Sequence, residues 1–92
     1  MPLGAYGRAV GHEWACKHYE GLQRINELSA LGDIVAMKSV AETLWASGSC
    51  ISFSKGDPVF YEGERKQGFL KVGPKKSEIN YFADYKLLYG AR

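Results

Sequence analysis

The chain has 92 residues, 46% of them hydrophobic and 24% charged, which is the composition of one ordinary globular domain and excludes two. A formal net charge of +2 forces no polyanion partner, and no apolar stretch approaches the roughly 18 residues of a membrane span or the core of a signal peptide. Cys16 and Cys50 are too few for a disulfide framework, so a soluble, reducing, cytoplasmic setting is expected, with a single Cys16–Cys50 bridge left open.

Residues 1–11, MPLGAYGRAVG, mix glycine and proline with small side chains and read as a flexible arm that docks, if at all, through Tyr6 and Val10. Residues 12–46 read as two helices. Trp14, His18, Leu22, Ile25, Leu28 and Leu31 recur at steps of three and four, with Lys17, Glu20, Gln23, Arg24 and Glu27 on the other side. Gly21 weakens that helix by about 1 kcal/mol relative to alanine, and Gly32 stops it. Asp33 then caps a second helix, whose stripe of Ile34, Met37, Val40, Ala41, Leu44 and Trp45 opposes Lys38, Ser39, Glu42 and Thr43 and ends at ASGS. Helices joined so tightly run as a hairpin or a sharp corner.

Over residues 50–89 the period changes to two, which predicts a β-meander. CISFS and VFYE form strands around the turn KGDP; GERKQG is a charged loop, FLKV a strand, GPKKS a turn and EINYF a strand. DYKLLYG suits a fifth strand or a short helix. The expected architecture is therefore α+β: an N-terminal two-helix hairpin followed by a four- or five-stranded antiparallel meander that can curl into a half barrel.

The rhythm of residues 51–88, ISFSKGDPV, a loop, the pair GF, LKV, a turn and INYF, resembles an SH3-like barrel. That resemblance implies a groove for proline-rich peptides, with Phe69 as its aromatic wall, Tyr81 or Tyr85 as the closing tyrosine and Tyr61 nearby. Phe69 stands where such domains carry tryptophan, and no proline precedes the closing tyrosine. QGFLKVGPKKSEINYF also resembles the wing of a winged-helix protein, which implies Lys75 and Lys76 at phosphates and a recognition helix within DPVFYEGERKQ, against the alternation of VFY.

Chemistry-bearing residues are sparse. His12 and Cys16 are four apart, on one helix face, with His18 close by, yet a structural zinc site needs four ligands and the only other cysteine is Cys50, so packed cysteines and surface histidines explain them and no metal or cofactor is expected. Glu13, Glu20 and Glu27 recur on one solvated helix face rather than as an acid–base pair, and no glycine array matches a phosphate-binding loop.

Two features remain. Phe60, Tyr61, Phe69, Tyr81, Phe82, Tyr85 and Tyr89 crowd one region, and the charge divides unevenly, residues 1–46 at −1 and residues 47–92 at +3. They lead to a non-catalytic protein-interaction module or small inhibitor that docks on a larger protein through Tyr61, Phe69, Tyr81, Tyr85, Arg65 and Lys66. In size and style such a chain resembles the accessory proteins with which phages and viruses block host machinery. The competing expectation is a nucleic-acid-binding surface that uses Lys71, Lys75 and Lys76.

Overall fold

A computed structural model describes residues 5–66 and 68–89, with the side chains of residues 5, 63–66 and 89 outside the description. The elements in chain order are β1 (Ala5–Arg8), β2 (Glu13–Cys16), α1 (Tyr19–Ala30), α2 (Ile34–Ala46), β3 (Cys50–Phe53), β4 (Pro58–Lys66), β5 (Phe69–Gly73), β6 (Tyr81–Asp84) and α3 (Lys86–Tyr89). The six strands form one antiparallel sheet in the order β1-β4-β5-β6-β2-β3.

The chain is α+β, but the expected order of helices followed by a four- or five-stranded meander is wrong. Two strands precede the helices, and only β4-β5-β6 runs as a meander. The arm supplies β1, whose Tyr6 and Gly7 stand opposite Phe60 and Val59 of β4. The start of the expected first helix is instead β2, inserted between β6 and β3. Helix α1 begins only at Tyr19.

The sheet curls. Phe53, from the β3 edge, shares one core with Val59 of β4, Leu70 and Val72 of β5, Ala15, Ala83 and Leu87, so the two ends of the sheet approach across a common interior. Alternation then fixes what points outward: Trp14, Cys16, Cys50, Phe69 and Phe82 lie on the convex face, where α1 and α2 cover them with Leu22, Ile25 and Ala41. Gly73 is required where β5 ends, because a side chain there would run into the Glu78 carbonyl of the following turn.

Cys16 and Cys50 face each other in the β2–β3 register and are joined by a disulfide, both almost fully buried. This corrects the expectation of a reducing, cytoplasmic compartment, since such bonds persist in oxidising surroundings. Two cysteines carry no spacing pattern, and only the strand register brings them together. Among the described residues no helix is long and apolar enough to cross a membrane.

The stretch DPVFYEGERKQ holds the nine-residue strand β4 and no recognition helix. The turn before it is tied by the Ser54 amide, which donates to the Asp57 carboxylate at 2.8 Å, and by the Asp57 amide, which donates to the Ser54 carbonyl at 3.0 Å. The DYKLLYG segment resolves into helix α3, whose Lys86 amide donates to the Asp84 carboxylate at 3.1 Å.

Candidate binding surface

The aromatic residues expected to serve docking together are divided between two sheet faces. Tyr61, Val72 and Tyr81 stand in one row across β4, β5 and β6, with both tyrosines half-buried against the barrel interior. Phe69 is on the opposite face, 9% exposed, packed beneath the helices. The helices occupy the surface that it would present as an open groove wall. Tyr85 is 48% exposed just after β6. Arg65 and Lys66 lie in the backbone of β4, and their side chains, like that of Tyr89, are outside the described residues.

The lysines of the alternative reading are also divided. Lys71 is half-buried on the convex face, opposite Phe82, while Lys75 and Lys76 are exposed in the turn between β5 and β6. Lys17 reaches the start of β6, its Nζ 5.8 Å from the centre of the Tyr81 ring.

A different cluster emerges where the helices leave the convex face bare. Opposition of Tyr6 on β1 with Phe60 on β4 puts their rings 5.2 Å apart and tilted by 59°, a favourable aromatic geometry. Arg8, two residues on and so on the same face, holds its guanidinium carbon 5.9 Å from the Tyr6 ring centre. Its Nη1 also donates to the Gly56 carbonyl at 2.9 Å, which fixes the side chain along the strand. Tyr6 remains more than half exposed and β1 ends the sheet. An aromatic pair with an oriented cation thus lies beside a terminal strand. Sequence reasoning missed it because the partners are 54 positions apart and meet only through the β1–β4 register.

A recess of about 420 Å³ is lined by His12, Glu13, Asn26, Ser29, Ala30, Asp84 and Lys86. Burial raises the pKa of Glu13 above its ordinary value, and the Asp84 carboxylate raises it further, while Lys86 opposes both. Lys86 Nζ lies 3.8 Å from the Asp84 carboxylate, and His12 meets Trp14 edge-on at 5.8 Å. The recess is polar and partly desolvated, with a carboxyl that keeps its proton to higher pH than usual. His12 and Cys16 form no metal pair here, because the Cys16 thiol is consumed in the disulfide. No group of three or more His, Cys, Asp or Glu positioned to hold a metal occurs among the described residues.

Comparison of the chain with family models, with curated proteins and with solved structures finds no match in any of the three, so its fold and surface stand on their own physical chemistry.

Proposed function

We propose that this chain is a non-catalytic interaction module that docks on a larger protein, with Tyr6, Arg8 and Phe60 as its anchor. The observation that supports this reading is the tilted Tyr6–Phe60 ring pair with the Arg8 guanidinium over Tyr6, held on two paired strands at the end of the sheet. Tyrosine and arginine supply much of the binding energy at protein interfaces because each combines large contact area with a polar handle. Here the rings are already positioned by strand register, so little side-chain entropy is lost on docking. Tyr85 extends the candidate contact set. An SH3-like peptide groove belongs to the same proposal, but with Phe69 covered its walls would be Tyr81 and Tyr85.

The competing proposal, a nucleic-acid surface, draws on the exposed Lys75 and Lys76 at the β5–β6 turn. One experiment separates the two. The partner recovered by affinity purification is purified and titrated against the wild-type chain, Tyr6→Ala and Arg8→Ala, alongside single- and double-stranded oligonucleotides over a salt series. The protein reading expects each alanine to weaken binding by roughly tenfold or more with shallow salt dependence. Oligonucleotide binding that falls steeply with salt and collapses in a Lys71, Lys75, Lys76 triple alanine variant would replace it.

A further inference from the structure

Helix α2 has a face that the fold leaves unused. Met37, Val40 and Leu44 pack half-buried against the core and Ala41 is fully buried, whereas Val35, 83% exposed, lies on the far side and Trp45, 60% exposed, on the flank one turn beyond Ala41. Between these two, on the same outward stripe, lie the exposed charges Lys38 and Glu42. The spacing Val35, Lys38, Glu42, Trp45 runs three, four, three, which is the seam that two helices use when they pack at shallow angles. Leu31, 75% exposed in the α1–α2 turn, continues the step of four toward the tip of the hairpin.

The order along that seam is apolar, positive, negative, apolar, and it reads as its own complement in reverse. An antiparallel copy of α2 centred on Val40 sets Val35 against Trp45 of the second copy and Lys38 against Glu42 of the second copy. The two-fold axis generates every contact twice, as in an isologous dimer. Ile34, also exposed, falls opposite the exposed Ala46 in the same register. A parallel copy would instead place Lys38 on Lys38 and Glu42 on Glu42, which repels.

We infer that the chain self-associates as an antiparallel two-fold dimer through the outward face of α2, with Val35–Trp45 contacts at both ends and reciprocal Lys38–Glu42 pairs at the centre. The occupant is a second copy because the charge order of the stripe is complementary to itself. The stems of Lys38 cover the apolar neighbours while their ammonium groups reach the carboxylates at the margin of the seam. The seam from Val35 to Trp45 is about 15 Å of helix, so the interface is small. Its dissociation constant is therefore expected on the order of 10–100 μM. The inference uses none of the residues assigned to partner docking.

Sedimentation equilibrium of the disulfide-intact chain, from about 5 μM to 1 mM, tests this against Lys38→Glu, Glu42→Lys and the double reversal. The wild type is expected to pass from monomer to dimer within this range. Each single reversal sets like charges opposite each other and is expected to weaken the dimer by roughly tenfold or more. The double reversal restores opposite charges and is expected to recover most of the affinity. A chain monomeric at the highest concentration overturns the inference, as does a dimer indifferent to the single reversals or one that the double reversal does not rescue. Should a reversal disturb folding, as circular dichroism would show, Val35→Ser and Trp45→Ser interrogate the same seam through its apolar ends; an unchanged dimer in both overturns it equally.

Discussion

Helices α1 and α2 are nearly equal in length, 12 and 13 residues, and are adjacent in sequence and space, yet they use their faces differently. Helix α1 packs on β2 and β6 and buries Leu22, Ile25 and Leu28 in a single stripe. Helix α2 packs on α1 and β3, at the margin of the sheet, and fully buries only Ala41. Apolar side chains therefore hold α1 in place, while several of those on α2 face away from the fold. A helix that carries more apolar surface than its own core uses has material for a second interface.

The disulfide closes the base of this hairpin, and its removal is the strongest way to break the comparison. Cys16 and Cys50 are 34 positions apart with both helices between them. Without the bridge, loop closure of that length costs the folded state about 3–4 kcal/mol relative to the cross-linked chain. Cys16→Ala/Cys50→Ala is expected to lower unfolding free energy by that amount in a urea titration. Hydrogen exchange should then show α2 opening before α1, because α1 fully buries Leu22, Ile25 and Leu28 whereas α2 fully buries Ala41 and holds Met37, Val40 and Leu44 only half-buried. Equal loss of protection in both helices would show that the hairpin opens as one unit.

Single truncations sharpen the contrast. Leu22 has no exposed surface, and Leu22→Ala is expected to cost about 3 kcal/mol through lost transfer energy and the cavity left behind. Val35→Ala and Trp45→Ala, measured at a dilution where the chain is monomeric, are expected to stay within about 0.5 kcal/mol of the wild type. Thermal unfolding of the three variants side by side decides it. A large loss at Trp45 would mean that α2 depends on that side chain for its place in the fold.

Where one face is solvated the sequence was readable, and where both are covered it was not. The pattern Leu22, Ile25, Leu28 and the cap at Asp33 belong to elements with a wet side, and both were legible. Strand β2 lies between β6 and β3, with the barrel interior on one face and helices on the other, so Glu13–Cys16 shows no alternation, and Trp14 fell by coincidence into step with the helical residues that follow. Strand β5 has the same problem. Phe69, Leu70 and Val72 are all buried, so period two could not say that Phe69 turns toward the helices rather than toward solvent. The Tyr6–Phe60 pair and the Cys16–Cys50 bridge depend on register between distant strands, which local patterning does not carry. Tyr6 was singled out only as a docking residue of an arm; its ring partner emerged with β1.

The smallest expected effects lie at the two helix N-termini, which differ as the helices do. At α2, the Asp33 carboxylate accepts from the Ala36 amide at 3.1 Å, satisfying one of the amides that the first turn leaves without a partner. At α1 the equivalent position is His18, with the extended backbone of an N-cap (φ −117°, ψ 127°) but no side-chain hydrogen bond into the first turn. Asp33→Ala is expected to cost about 1 kcal/mol, whereas His18→Asp is expected to add a fraction of that by supplying an acceptor where the backbone is already set for it. Helix α1 tolerates an uncapped start because its buried leucines and isoleucine hold it to the sheet. Helix α2, whose Ile34, Val35 and Trp45 are exposed and whose Met37, Val40 and Leu44 are only half-buried, relies more on local hydrogen bonding. If Asp33→Ala proved neutral in the monomer, α2 would be held by Met37, Val40 and Leu44 alone, and the contrast between the helices would reduce to one of exposure.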